Sequence, residues 1–100
     1  MNTITAGTVI KSTWGYDQTN VDFYQVTKVQ NGFAYLQPIG QEIVEETGYL
    51  AERVVPNFVP CGKVMRRKVR NYGADDYVGI SDYASGSVWN GTPVTQTHTH

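Results

Sequence analysis

Cysteine is almost missing from this sequence. The single thiol, Cys61, cannot form a disulfide within the chain, so a domain of one hundred residues must be held by packing. Lys63 lies two positions on and is the one nearby cation that could activate that thiol, but a small packed side chain is the simpler role. Long apolar runs are also absent. Nothing approaches the roughly 18 consecutive apolar residues of a membrane span, and no charged region followed by an apolar stretch opens the sequence. This predicts a non-membrane protein of an intracellular compartment. Charge of one sign is lacking too: eight Lys and Arg against nine Asp and Glu leave a net charge of −1. Bulk attraction to a polyanion is therefore excluded, and any nucleic-acid reading must rest on local clustering.

Chemistry-bearing patterns are equally scarce. There is no glycine-rich phosphate loop, no metal-spaced Cys/His set and no nucleophile elbow. Both histidines, His98 and His100, sit at the end of the sequence. An H-x-H pair puts two rings on one side of an extended segment, yet two ligands without a third do not make a metal site, and a frayed tail is expected. Asp17 with Asp22, or Asp75 with Asp82, could in principle hold a divalent ion or exchange protons, but nothing selects either pair over ordinary loop aspartates. No cofactor and no metal are expected, and the residues argue for binding more than for catalysis. Asn90-Gly91-Thr92 has the form of a glycosylation acceptor, and with Pro93 behind it the expectation is a turn.

What is present reads as β-structure throughout. Val, Ile, Thr, Tyr and Phe are dense and turn residues recur at short intervals. Gly7 to Trp14 is a first strand, with Ile10, Ser12 and Trp14 on one face and Val9, Lys11 and Thr13 on the other. Val21 to Gln30 is a second, and Phe33 to Ile39 a third. Between them Asn31-Gly32 is the strongest short hairpin signal available, because both residues tolerate the positive φ of a type I′ turn. A two-residue turn sets Gln30 opposite Phe33, Val29 opposite Ala34, Lys28 opposite Tyr35 and Thr27 opposite Leu36. That register predicts Phe23, Val29, Ala34 and Leu36 on the core face. Pro38 is expected at an edge or strand end, since it has no donor for the ladder.

Gln41 to Leu50 is ambiguous, a turn-like excursion or a short strand. Val54 to Gly62, with two prolines, reads as an irregular crossing. Lys63 to Asn71 and Tyr77 to Ala84 are further strands, joined by the turn Tyr72 to Asp76. The tail from 85 to 100 is expected to be partly irregular, with Trp89 and Val94 as anchors. The sum is one all-β domain over residues 1–100: a small barrel, SH3-like or similar, of about five to six short antiparallel strands.

Two constellations stand out. The first is Trp14 to Val26, where Asp17, Gln18, Thr19, Asn20 and Asp22 lie among Trp14, Tyr16, Phe23 and Tyr24. One reading is structural, with Asx-turns and cross-strand aromatics. The other is a binding loop, in which polar groups fix orientation and aromatics supply contact area. The second is the strand Val64 to Arg70. Alternation puts Arg66, Lys68 and Arg70 on one face at intervals of about 6.5–7 Å. They could form a solvated face paired with Glu42, Glu45 and Glu46. They could equally contact a phosphate backbone, with Tyr72 or Tyr35 for stacking, or a carboxylate-rich protein.

The run Trp14-Gly15-Tyr16-Asp17-Gln18-Thr19-Asn20 followed by Asp22-Phe23-Tyr24, the basic Met65-Arg66-Arg67-Lys68-Val69, and the closing Tyr83-Ala84-Ser85 with Trp89-Asn90-Gly91 and Pro93 together resemble a family of small proteins of phages and other mobile elements. The resemblance spans almost the whole sequence. It departs in carrying Asn90 where the pattern more often has Asp, and in the Thr-His-Thr-His ending. It implies that Trp14 to Tyr24 matters to the family, and it places the protein in the cytoplasm of a host cell. The function it implies is non-enzymatic: an accessory protein that binds a host macromolecule, a host protein foremost, with inhibition of a host defence system as the expected role. The alternatives are a nucleic-acid-binding module that uses residues 63–71, and a small-molecule binder or enzyme centred on the Asp17–Asp22 loop. The binding residues on these readings are Trp14, Tyr16, Asp17, Gln18, Thr19, Asn20, Asp22, Tyr24, Arg66, Lys68 and Arg70. Sequence leaves the oligomeric state unknown.

The hairpin generates a direct test. Gly32→Val puts a β-branched side chain at positive φ and should lower stability by roughly 1–3 kcal/mol in denaturant unfolding. An unchanged midpoint would rule out the type I′ turn.

Overall fold

The computed structural model describes residues 3–15, 19–48, 50–81 and 84–97, and of Tyr72 the backbone alone. Eight strands run through them: β1 (Val9–Trp14), β2 (Asn20–Gln30), β3 (Phe33–Gly48), β4 (Ala51–Pro60), β5 (Met65–Tyr72), β6 (Asp75–Ser81), β7 (Ala84–Val88) and β8 (Val94–Thr97). They form one sheet in which every pairing is antiparallel. Its order is β2-β1-β7-β6-β5-β3-β4-β8, and β3 also pairs with β2. Six strands therefore return on themselves as a barrel-like ring, while β4 and β8 continue outward from the second half of β3.

The Asn31-Gly32 turn is present with φ of 53° and 80°, the left-handed values expected of type I′. Register follows the expectation from Gln30↔Phe33 through Lys28↔Tyr35, and then breaks. The next pair is Val26↔Leu36, so Thr27 is an extra residue in β2, its hydroxyl donating to the Tyr35 carbonyl at 3.4 Å. A bulge of one residue reverses the face of everything beyond it. Phe23 was expected beside Val29, Ala34 and Leu36. Instead Tyr24 and Val26 point into the ring and Phe23 points out.

Both faces of β2 are buried as a result. Inside the ring, Ile4, Ile10, Tyr24, Val26, Ala34, Leu36 and Val78 form the main core, with Met65, Val69, Ile80 and Val88 against it. Outside, Val21 and Phe23 pack with Ile39 and Val54, flanked by Val9, Trp89 and Val94. The second half of β3 with β4 and β8 thus covers the outer surface of β1 and β2. The Gln41 amide donates to the Val21 carbonyl at 2.7 Å, and the Thr97 N–H to the Thr19 carbonyl at 3.0 Å. Gly86 is where the ring leaves no room for a side chain. A Cβ there would lie 2.5 Å from Ile10 Cγ2, so no side chain fits without displacing β1.

Several expectations about elements are corrected. The described residues hold eight strands, not five or six. Of the two readings left open for Gln41 to Leu50 the strand holds, though not as a short separate one: β3 runs through Pro38 and Gly40 to Gly48. Pro38 lies mid-strand, but at the point where one edge changes partner, since the β5 pairing ends at Leu36 and the β4 pairing begins at Ile39. No ladder donor is needed there. Val54 to Gly62 is mostly strand as well. β8 pairs with β4 only over Ala51 to Val54, so Pro56 and Pro60 lie where that outer edge is free. The span from 85 onward, expected to be partly irregular, holds most of β7 and all of β8, with residues 89–93 between them outside strands. His98 and His100 fall outside the described residues.

Ile4, ahead of β1, is buried, and its N–H donates to Asp76 Oδ2 at 3.0 Å. That bond, with a second from the Asn71 amide, holds the Asp76 carboxyl below its usual 3.8. A carboxyl lowered in the folded state stabilises it above the unfolded value, and the contribution is lost as pH falls through the folded one. Between about pH 5 and about pH 3 the wild type should therefore lose more stability than Asp76→Asn, which keeps an acceptor without the titration. Parallel loss in thermal unfolding would show that the anchor is not linked to protonation.

Candidate functional site

The first constellation divides into parts with separate duties. Trp14 is half-buried at the end of β1, opposite Asn20, and its indole N–H donates to Asp22 Oδ2 at 2.7 Å. The Asp22 carboxylate is thus engaged by a ring on its own hairpin. Thr19 receives the end of β8: its N–H donates to Thr97 Oγ1 at 2.8 Å and its carbonyl accepts from the Thr97 N–H. Tyr24 is buried in the ring core. Tyr16, Asp17 and Gln18 lie outside the described residues, as does Asp82, so neither carboxylate pair is brought together among the described groups.

Phe23 carries this stretch to the closing one. Its ring meets Trp89 edge-to-face, with centroids 6.1 Å apart and planes at 74°. The Trp89 N–H donates to the Val9 carbonyl, and its indole N–H to the Thr92 carbonyl at 2.7 Å. Asn90 Oδ1 accepts from both the Thr92 N–H and the Thr92 hydroxyl, which makes Asn90 to Thr92 an Asx-turn under the Trp89 ring. The side chain is used there only as an acceptor, a duty that Asp performs equally well. The two separated motifs are therefore one packed unit, with β1 between β2 and β7.

One hydroxyl in this region has no partner. Ser12 is fully buried on the inner face of β1, opposite Asp22 on one side and Gly86 on the other, and its Oγ makes no hydrogen bond. Such a group weakens the local packing.

The basic constellation is arranged differently. Arg66 lies opposite Tyr35, Lys68 opposite Phe33, and Lys28 opposite Tyr35 from the other side. These residues share the outer face of β2, β3 and β5, in the zone that β4 and β8 do not cover. The Arg66 guanidinium sits 4.7 Å from the centre of the Phe33 ring, and the Lys28 ammonium 4.5 Å from that of Tyr35. Lys68 and Arg70 continue the row, exposed. Arg67 turns the other way and caps the Ile80 carbonyl through Nε and Nη2, both at 3.3 Å. Sequence alternation found Arg66, Lys68 and Arg70. It missed Lys28 and Phe33, although the hairpin register already set Lys28 beside Tyr35.

The suggested pairing of this row with Glu42, Glu45 and Glu46 is not found. The salt bridge among the described residues is Arg53 with Glu45, at 3.6 Å and half-exposed. Glu42, Glu45 and Glu46 lie on the far half of β3, beyond Gly40. Among the described residues Lys28, Arg66, Lys68 and Arg70 have no carboxylate partner. Among the described residues no group of three His, Cys, Asp or Glu is placed to hold a metal ion. No protein-family model, curated protein or solved structure matches the chain.

If Asp22 serves to hold Trp14, Asp22→Ala should cost about 1 kcal/mol and red-shift the tryptophan fluorescence, and Asp22→Asn should restore both through its remaining acceptor. Full stability in the alanine variant would return Asp22 to the list of groups available to a ligand.

Proposed function

We propose that the chain is a non-enzymatic binding module of a phage or mobile element, which engages a host macromolecule through the outer face of β2, β3 and β5. The observation that carries this reading is the unpaired cationic row: Lys28 and Arg66 laid on aromatic rings, with Lys68 and Arg70 beside them. Four cations on one sheet face, without counter-charges among the described residues, favour an anionic partner. Their stems and the rings beneath them also offer apolar area. The sequence resemblance supplies the host context, and inhibition of a host defence system is the role that context suggests. Fold by itself supplies none of this.

An acidic host protein is the first partner class. The Lys28 and Arg66 head groups occupy ring faces that an unstacked base would need, so the rings are not open platforms. Single-stranded nucleic acid is the second reading, favoured by the alternation of cations and aromatics along one face. The experiment is capture from host lysate with and without nuclease, using wild type and the triple variant Arg66→Gln, Lys68→Gln, Arg70→Gln. A protein partner kept after nuclease and lost in the variant is the expected result. Direct titration with short DNA and RNA at low salt separates the two readings: three phosphate contacts would give a log–log salt slope near about −2 to −3, flattened in the variant. A variant that captures the same partner as wild type would overturn the reading, since exposed charges leave folding intact.

A further inference from the structure

The far half of β3 is exposed in a way that the rest of the sheet is not. On the edge of β3 that faces β2, the ladder ends at Ile39↔Phe23, and the Gln41 side chain closes it on Val21. β4 occupies the opposite edge. From Gln41 to Gly48, about 26 Å of backbone, no described strand pairs along the first edge. All eight residues are exposed. Ile43 and Val44, adjacent in sequence, are apolar and about half exposed. An open edge of this length is a template for another strand.

The charge on the segment protects it against one class of partner only. Val44 and Thr47 are extra residues against β4, and bulges of this kind twist an edge away from easy pairing. Glu42, Glu45 and Glu46 add negative charge. In an antiparallel pairing with a second copy of this edge, these carboxylates would face their own equivalents, and like charges set opposite one another destabilise a ladder. The protein's own basic strand cannot fill the edge either, because β5 is committed to β3 over Met65 to Lys68 and to β6 over Val69 to Tyr72. The same carboxylates that reject a copy attract a cation. Among the described residues Glu45 is engaged, by exposed Arg53.

We propose that the free edge of β3 from Gln41 to Gly48 accepts an extended, lysine- or arginine-rich segment of a partner protein by strand addition. Main-chain hydrogen bonds supply the register, cationic side chains meet Glu42, Glu45 and Glu46, and small apolar side chains lie beside Ile43 and Val44. The surface is distinct from the basic face and does not depend on it.

The test uses the whole chain, isotopically labelled, titrated with an unstructured synthetic peptide of about nine residues that alternates lysine and valine. Amide shifts and hydrogen exchange are read residue by residue. Saturable shifts confined to β3 beyond Gly40, with exchange there slowed at least about tenfold, are expected. The same peptide N-methylated at alternate residues keeps its charge but cannot extend the ladder, and it should not bind. Glu42→Gln, Glu45→Gln and Glu46→Gln together should weaken binding by at least about tenfold without moving the unfolding midpoint. No shift at about 1 mM peptide would overturn the proposal. So would equal binding of the N-methylated peptide, which needs no change to the protein.

Discussion

The structure depends on burying both faces of one strand. β2 turns Tyr24 and Val26 into the ring and Val21 and Phe23 against the strands laid over its outside. A two-sided strand needs two covers, and the sheet supplies them by closing on itself on one side and folding β4 and β8 back on the other. Here one strand is shared between two small cores, so each also fixes the position of the other.

That arrangement explains why the most distinctive residues of the sequence do structural work. Phe23 and Trp89 meet in the outer cluster, Trp14 is tied to Asp22, and Asn90 closes the turn beneath Trp89. Aromatic and polar residues crowded into a short stretch look like a ligand site. In this fold many of them are the joints between β1, β2 and β7. The surface left for a partner is elsewhere, on faces and edges that the double burial of β2 does not consume.

A net charge of −1 conceals how those surfaces differ. All four glutamates fall between positions 42 and 52, and five of the eight lysines and arginines between 63 and 70. β3 carries both zones. Its first half lies under the cations of β2 and β5, and its second half bears the carboxylates on an open edge. One long strand thus presents two surfaces of opposite sign, each suited to a different chemistry of partner.

The all-β class, the type I′ hairpin, the shared face of Ile10 and Ser12, and the common face of Arg66, Lys68 and Arg70 were legible in the sequence, because each follows from local propensity or from two-residue alternation. The bulge at Thr27 was not. It inserts one residue in favour of burying Val26 with Leu36, a preference that exists only once the ring has closed. Nor could composition show that β3 would run for sixteen residues through Pro38 and Gly40, since the missing donor at Pro38 is harmless only where β5 gives way to β4. The cationic row could be read from spacing, but its lack of carboxylate partners could not, because that depends on where β3 carries Glu42, Glu45 and Glu46. Local pattern decided the elements and their faces. Long-range pairing decided which faces were buried, and so which were left for a partner.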